Sequence, residues 1–270
     1  MMELSLVNAN SVTGLIPAAG RARRLPGLTM SKELLPVPAG DGSGPEPAIA
    51  FSIRFLLDCG IERQQVIVAP GKRDLCDYLG DGEQFGAQIR IVPVANSNSV
   101  PQSLDAARDA VAGQTAVLVF PDIMFEPRAE IAALFARWRP AAADALLALV
   151  PSVRGDKVDI VTIDDDERVV GIAPKPGPGV SGWTWVAAAW SPRFTDFLHE
   201  HTVSSTGFRD REIYVGDVLN AARATGIAIQ GVTFARGWAI DIGTPDDYAA
   251  SWQRFGHRIP DEIEAILRGF

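Results

Sequence analysis

The sequence predicts an α/β protein with a mostly parallel central sheet flanked by helices. Three observations predict it. Short apolar runs rich in Val and Ile alternate with segments of helical spacing through the first half. Glycines close the helical segments, as at Gly60 and Gly113. The charged residues that stand out follow apolar runs directly, at the carboxyl ends of strands, where open α/β sheets bind ligands.

Val12–Pro17 reads as a buried strand, and Ala48–Cys59 as a helix with Ile49, Ile53, Leu56 and Leu57 on one face. Gln65–Ala69 and Ile89–Val94 read as strands around a helix at Lys72–Leu79. A helix is expected over Ser103–Ala112, a strand over Ala116–Phe120, a helix over Glu126–Trp138 and a strand over Ala145–Val150. In the second half, Asp159–Ile163 and Arg168–Ile172 flank an acidic turn and read as a hairpin. A Trp-rich strand, Trp183–Trp190, precedes helices near Pro192 and over Asp217–Thr225. Strands Ile227–Thr233 and Trp238–Ile242 then lead to helices Pro245–Phe255 and Pro260–Leu267. The Gly- and Pro-rich stretch Pro38–Pro47 is expected to be a flexible loop.

Composition narrows the function. The formal net charge is −8, which argues against a broad nucleic-acid interface. No apolar run is long enough for a transmembrane helix, and Met1–Asn10 lacks the pattern of a signal peptide, so a cytoplasmic protein without a membrane partner is expected. Two cysteines, Cys59 and Cys76, suit reduced, buried thiols and are too few for a disulfide framework or a zinc site. His199, His201 and His257 show no metal-ligand spacing.

Against this acidic background, Arg21, Arg23, Arg24 and Lys32 crowd one Gly-containing loop after the first strand. Backbone N–H groups and fixed positive charge in such a loop suit a polyanion, a nucleoside triphosphate above all; the bland alternative is a solvated basic turn. Asp122, at the end of Ala116–Phe120, has the position of a metal ligand or of an N-cap. Asp241 lies between Ile240 and Ile242 on a short strand, where a carboxylate is costly to bury without a partner; the alternative is a cap for the helix after Thr244.

These segments resemble the sugar-1-phosphate nucleotidyltransferases, the glucose-1-phosphate thymidylyl- and uridylyltransferase group. The family opens with Gly-x-Gly-Thr-Arg-Leu and a Lys before Leu-Leu-Pro-Val. Gly20, Arg24 and Leu25 match the first part, and Ser31-Lys32-Glu33-Leu34-Leu35-Pro36-Val37 the second. Gly237-Trp238-Ala239-Ile240-Asp241-Ile242-Gly243-Thr244-Pro245 resembles the family's Trp-x-Asp-Ile-Gly-Thr-Pro. The resemblance runs from about Leu15 to about Tyr248.

It implies a Rossmann-like fold, transfer of a nucleotidyl group from a triphosphate, TTP or UTP, to a sugar 1-phosphate, and Mg²⁺ as cofactor. Arg24 and Lys32 become the catalytic cations, and Asp122 and Asp241 the metal ligands. Ala18, Ala19, Gly20, Arg21 and Gln102 become nucleotide-binding, with Gln102 reading the base. Lys175 and Gly182 become sugar-phosphate-binding. By residues alone Lys175, between two prolines, reads as a rigid turn and Gln102 as an exposed helix residue. One domain is expected, with a nucleotide half over about 12–125, a sugar-phosphate half over about 126–250 and C-terminal helices over about 245–270. A homo-oligomer stays open.

Several positions depart from the family's pattern. Ala22 and Arg23 replace its second Gly and its Thr. Pro121 replaces the Gly before the first metal-binding Asp. Pro174 replaces the Glu before the sugar-phosphate Lys, and Asp159 a glycine near the sugar. They motivate two alternatives: a nucleotide-binding protein with weakened catalysis, and a transferase acting on a phosphate that is not a sugar's.

Overall fold

The computed structural model describes residues 12–269 except 21, 23, 26, 40–43, 96, 141–142 and 205–211. In chain order the strands are β1 (Val12–Ala18), β2 (Pro36–Pro38), β3 (Pro45–Pro47), β4 (Arg63–Val68), β5 (Gln88–Pro93), β6 (Thr115–Val119) and β7 (Ile123–Glu126). They continue with β8 (Ala145–Ser152), β9 (Ile160–Ile163), β10 (Val169–Ala173), β11 (Gly182–Trp190), β12 (Ile229–Thr233) and β13 (Trp238–Asp241). The helices are α1 (Ala48–Asp58), α2 (Arg73–Leu79), α3 (Val100–Ala106), α4 (Arg108–Val111), α5 (Arg128–Arg137), α6 (Pro192–Ser204), α7 (Val215–Ala224), α8 (Pro245–Arg254) and α9 (Asp261–Arg268).

The first half forms a parallel sheet in the order β6-β1-β4-β5. Neighbours along its strands point to opposite faces, and both faces are buried. Ile16, Val66, Val68, Val117 and Val119 join α1 and α5 on one side, through Ile49, Ile53, Ile131 and Phe135. Leu15, Ile67, Ala116 and Leu118 join α3, α6 and α7 on the other, through Leu104, Phe194, Leu198, Val218 and Leu219. Helices on both faces leave the carboxyl ends of β1 and β6 as the place where functional groups can project.

The second half adds to the same sheet. β11 runs antiparallel to β6, pairing Ala187 with Val119, and its other edge pairs with β8. The start of β11 passes beyond the end of β6, and there Trp183 pairs with Val161 of β9. The hairpin β9–β10 is present as expected. The second half therefore stands over the carboxyl end of β6.

Three expectations change. Helix Glu126–Trp138 is shorter at its start: Ile123–Glu126 is a strand that pairs antiparallel with β13, and the helix begins at Arg128. Helix Ser103–Ala112 is two helices that part at Ala107, the first starting earlier because Ser99 caps it and Pro101 sits in its first turn. The stretch Pro38–Pro47 is not wholly a loop, since Pro36–Pro38 pairs with Pro45–Pro47. A two-stranded ribbon tolerates prolines because each strand is an edge. Residues 40–43 of that stretch lie outside the described residues. Both cysteines are free; Cys59 is buried and Cys76 half-buried. Among the described residues no helix is long and apolar enough to cross a membrane.

Candidate active site

The end of β1 opens onto a cleft of about 810 Å³ lined by Ala19, Gly20, Ala22, Ser31, Lys32, Lys72 and Asp74, among others. The walls come from the first loop and from the turn into α2. Arg21 and Arg23 of the cation loop lie outside the described residues. Ala18 is fully buried and reaches the site through its carbonyl, which accepts from Lys72 Nζ at 2.8 Å.

Beside the cleft, the four charged residues picked out from sequence come together. Lys32 Nζ pairs with Asp122 Oδ2, and Arg24 Nη2 with Asp241 Oδ2 at 3.2 Å. Pairing of β7 with β13 carries the two aspartates side by side: Asp241 faces Ile123, and the Ile242 N–H donates to the Asp122 carbonyl at 3.0 Å. Asp122 therefore precedes a strand and does not cap a helix. Asp241 does not cap α8 either; Thr244 does, and Asp241 Oδ1 accepts from the Gly243 N–H at 2.7 Å. A Cβ on Gly243 would lie 2.5 Å from Arg24 Nη2 and 2.7 Å from Asp241 Oδ1, so only glycine leaves room for this pair.

The charges bias one another. Burial pushes the Asp122 carboxyl up, but the Lys32 ammonium outweighs it and holds Asp122 below the usual carboxylate range. Asp241 is raised, by burial first and then by repulsion from Asp122, against the pull of Arg24 and Lys32. Burial alone would lower Lys32, but Asp122 and Glu33 raise it, so it is cationic at neutral pH. Two adjacent carboxylates form an oxygen-only donor set that suits a hard divalent cation completed by phosphate and water. Among the described residues no group of three or more His, Cys, Asp or Glu gathers as a metal cluster.

Sequence reasoning missed the support beneath Lys32. Glu33 is 0% exposed, and both its oxygens accept from Lys72 Nζ at 2.7 Å. Burial raises the Glu33 carboxyl and lowers the Lys72 ammonium, each opposed by the other's charge. On the other side of Lys32, the Ser31 N–H and Oγ donate to Asp74 at 2.6 and 2.7 Å. The turn that carries Lys32 is thus gripped at residues 31 and 33 by residues 74 and 72 beside α2. The only signal was polar: Lys72 and Asp74 stand together just past a strand end.

The remaining candidates make other contacts. Gln102 turns its Oε1 back to accept from the Asn98 N–H at 2.8 Å. Lys175 is exposed and sets its Nζ 3.8 Å from the centre of the Tyr214 ring. A Cβ on Gly182 would lie 2.8 Å from Ile160 Cγ2, so this glycine serves the contact between β11 and β9.

Known proteins resemble this chain in sequence and in fold. No family model matches the chain. It is 23% identical over 238 residues to the low-salt glycan biosynthesis nucleotidyltransferase Agl11 of Haloferax volcanii, which covers 87% of this chain and 63% of that protein. It is 32% identical over 115 residues to the glucose-1-phosphate thymidylyltransferase of Xanthomonas campestris, covering 42% of this chain and 37% of that protein. The chain thus spans less than two thirds of the length of these relatives. A Bacillus anthracis structure assigned as a glucose-1-phosphate thymidylyltransferase, solved with sucrose, superposes with a TM-score of 0.77 at 20% identity, covering 94% of this chain and 99% of the other. The sequence likeness thus covers part of each of these relatives, and the fold is shared with that solved structure.

Two outcomes follow from the charge arrangement. In Asp122→Asn the Asp241 carboxyl should titrate at lower pH than in the wild type, because its repulsive neighbour is gone; carboxyl NMR reads this. Lys72→Met should destabilise the fold by about 3–5 kcal/mol in urea unfolding, by stranding buried Glu33, and adding Glu33→Leu should restore most of the loss.

Proposed function

We propose that this chain transfers a nucleotidyl group from a nucleoside triphosphate to a sugar 1-phosphate, giving a nucleoside diphosphate sugar and pyrophosphate. TTP or UTP is the expected donor. The observation that carries the reading is the crossed pairing of first-loop cations with two distant carboxylates, Lys32 with Asp122 and Arg24 with Asp241.

The reaction needs no covalent intermediate on the protein; positioning and charge neutralisation lower its barrier. An oxygen of the sugar phosphate attacks the α-phosphorus in line, and the bond to the β-phosphate oxygen breaks with its electron pair going to pyrophosphate. Lys32 holds the α-phosphate, exchanging its carboxylate partner for a phosphate oxygen. Arg24, 55% exposed at its side chain, reaches from the cleft rim to offset charge on the departing pyrophosphate. Ala19 and Gly20 line the cleft and offer backbone amides to the triphosphate. Lys175 takes the acceptor phosphate, and Gln102 contacts the base once released from the Asn98 amide. Asp122 and Asp241 would hold Mg²⁺, which when bound supplies further neutralisation of the phosphate oxygens.

Pyrophosphate release, measured with Mg²⁺ across TTP, UTP, CTP, ATP and GTP against a panel of sugar 1-phosphates, tests the proposal. Release should follow one preferred pair. Asp122→Ala should abolish it with the fold intact, and Arg24→Ala should lower it by about 10²-fold. Nucleotide binding without release for any pair would favour a protein that binds nucleotide without transferring it.

A further inference from the structure

A cluster in the second half joins Asp159 to Lys175. Asp159, 8% exposed, stands just before β9. Its Oδ2 accepts from Trp185 Nε1 at 3.1 Å, and the Gly216 backbone at the start of α7 packs against the same carboxylate. A Cβ on Gly216 would lie 2.4 Å from that Oδ2 and 2.8 Å from Cγ, so the carboxylate and the glycine require one another. Two residues earlier, the Tyr214 N–H donates to Asp217 Oδ2 at 2.9 Å, and the Tyr214 ring carries Lys175 Nζ on its face.

Lys175 has a φ of +44°, an uncommon conformation for a residue with a side chain. Such a backbone persists where its surroundings over-determine it. The cluster also reaches the quartet: Trp185 packs on Phe120 with ring centres 5.4 Å apart, and Phe120 lies two residues before Asp122.

We propose that Asp159 is a positioning residue for Lys175: by gripping Trp185 and the start of α7 it fixes the Tyr214 ring as the seat of the Lys175 ammonium. The proposal rests on the transferase reading for what Lys175 then does, which is to hold the acceptor phosphate. A carboxylate facing a sugar pocket could instead take a sugar hydroxyl directly. Here its burial, the Trp185 donor and the close packing of Gly216 favour an internal role.

The test uses the full chain with Asp159→Asn, Asp159→Ala, Tyr214→Phe and Tyr214→Leu. Without substrate, the acylation rate of Lys175 by an amine-reactive ester is read by peptide mass spectrometry. Asp159→Asn keeps the shape of the side chain and an oxygen for the Trp185 donor, and Tyr214→Phe keeps the ring, so both should match the wild type. Asp159→Ala and Tyr214→Leu should change the rate by about threefold or more. Gly216→Ala should behave like Asp159→Ala, and the double variant should be no worse than either alone. An unchanged rate in either Asp159→Ala or Tyr214→Leu overturns the proposal, and Gly216→Ala decides in place of Asp159→Ala if that variant does not fold.

In turnover, Asp159→Ala should raise the acceptor KM by about tenfold or more while the donor KM and kcat stay within about twofold. If Asp159→Asn raises the acceptor KM as much as Asp159→Ala does, the carboxylate is a direct ligand and the proposal fails. If the wild type turns over no acceptor, the transferase reading fails, while the labelling still decides the seating of Lys175.

Discussion

The ion pair between Lys32 and Asp122 ties the first loop to the end of β6, and the site is organised around it. Charges this shielded are unfavourable unless paired. Each partner is therefore fixed by something else. Asp122 is held through the pairing of β7 with β13, which also delivers Asp241. Lys32 is held through its neighbours in sequence, Ser31 on Asp74 and Glu33 on Lys72, and Lys72 in turn on the carbonyl that ends β1. The central sheet thus sets the cation and the carboxylate from separate strand ends.

This arrangement is balanced for exchange. Two cations and two carboxylates pair within the quartet, yet the balance is uneven, since Asp122 is held below the usual carboxylate range while Asp241 is raised. A polyanion competes with the carboxylates for Lys32 and Arg24. A divalent cation competes with Lys32 and Arg24 for the carboxylates. The two ligands entering together relieve each other's cost, whereas either alone leaves charges unmatched. If the proposed transfer reaction is right, cooperative entry of nucleotide and cation follows from such a quartet.

The parallel half of the fold was legible because its strands are buried on both faces and read as continuous apolar runs, as in Ala116–Phe120. Asp122 and Asp241 stood out as acids beside such runs, but position alone left each between a metal ligand and a cap, and the structure shows that neither caps a helix. The ribbon Pro36–Pro38 with Pro45–Pro47 was hidden because prolines mask strand pattern, and strand Ile123–Glu126 because a four-residue strand merges with the helix after it. The clamp of Lys72 and Asp74 on residues 31 and 33 was invisible because it is made by tertiary contact between segments about 40 positions apart, without a motif. Asp159 was read as a departure that puts the sugar pocket in question. Its partners, Trp185 and Gly216, are apparent only in three dimensions.

The most direct measurement is calorimetric binding of non-hydrolysable α,β-methylene analogues of the nucleoside triphosphates, with and without Mg²⁺, to the wild type and to Asp122→Asn. The account predicts that Mg²⁺ tightens nucleotide binding in the wild type and that the gain is lost in Asp122→Asn. An equal effect of Mg²⁺ on both proteins would contradict it.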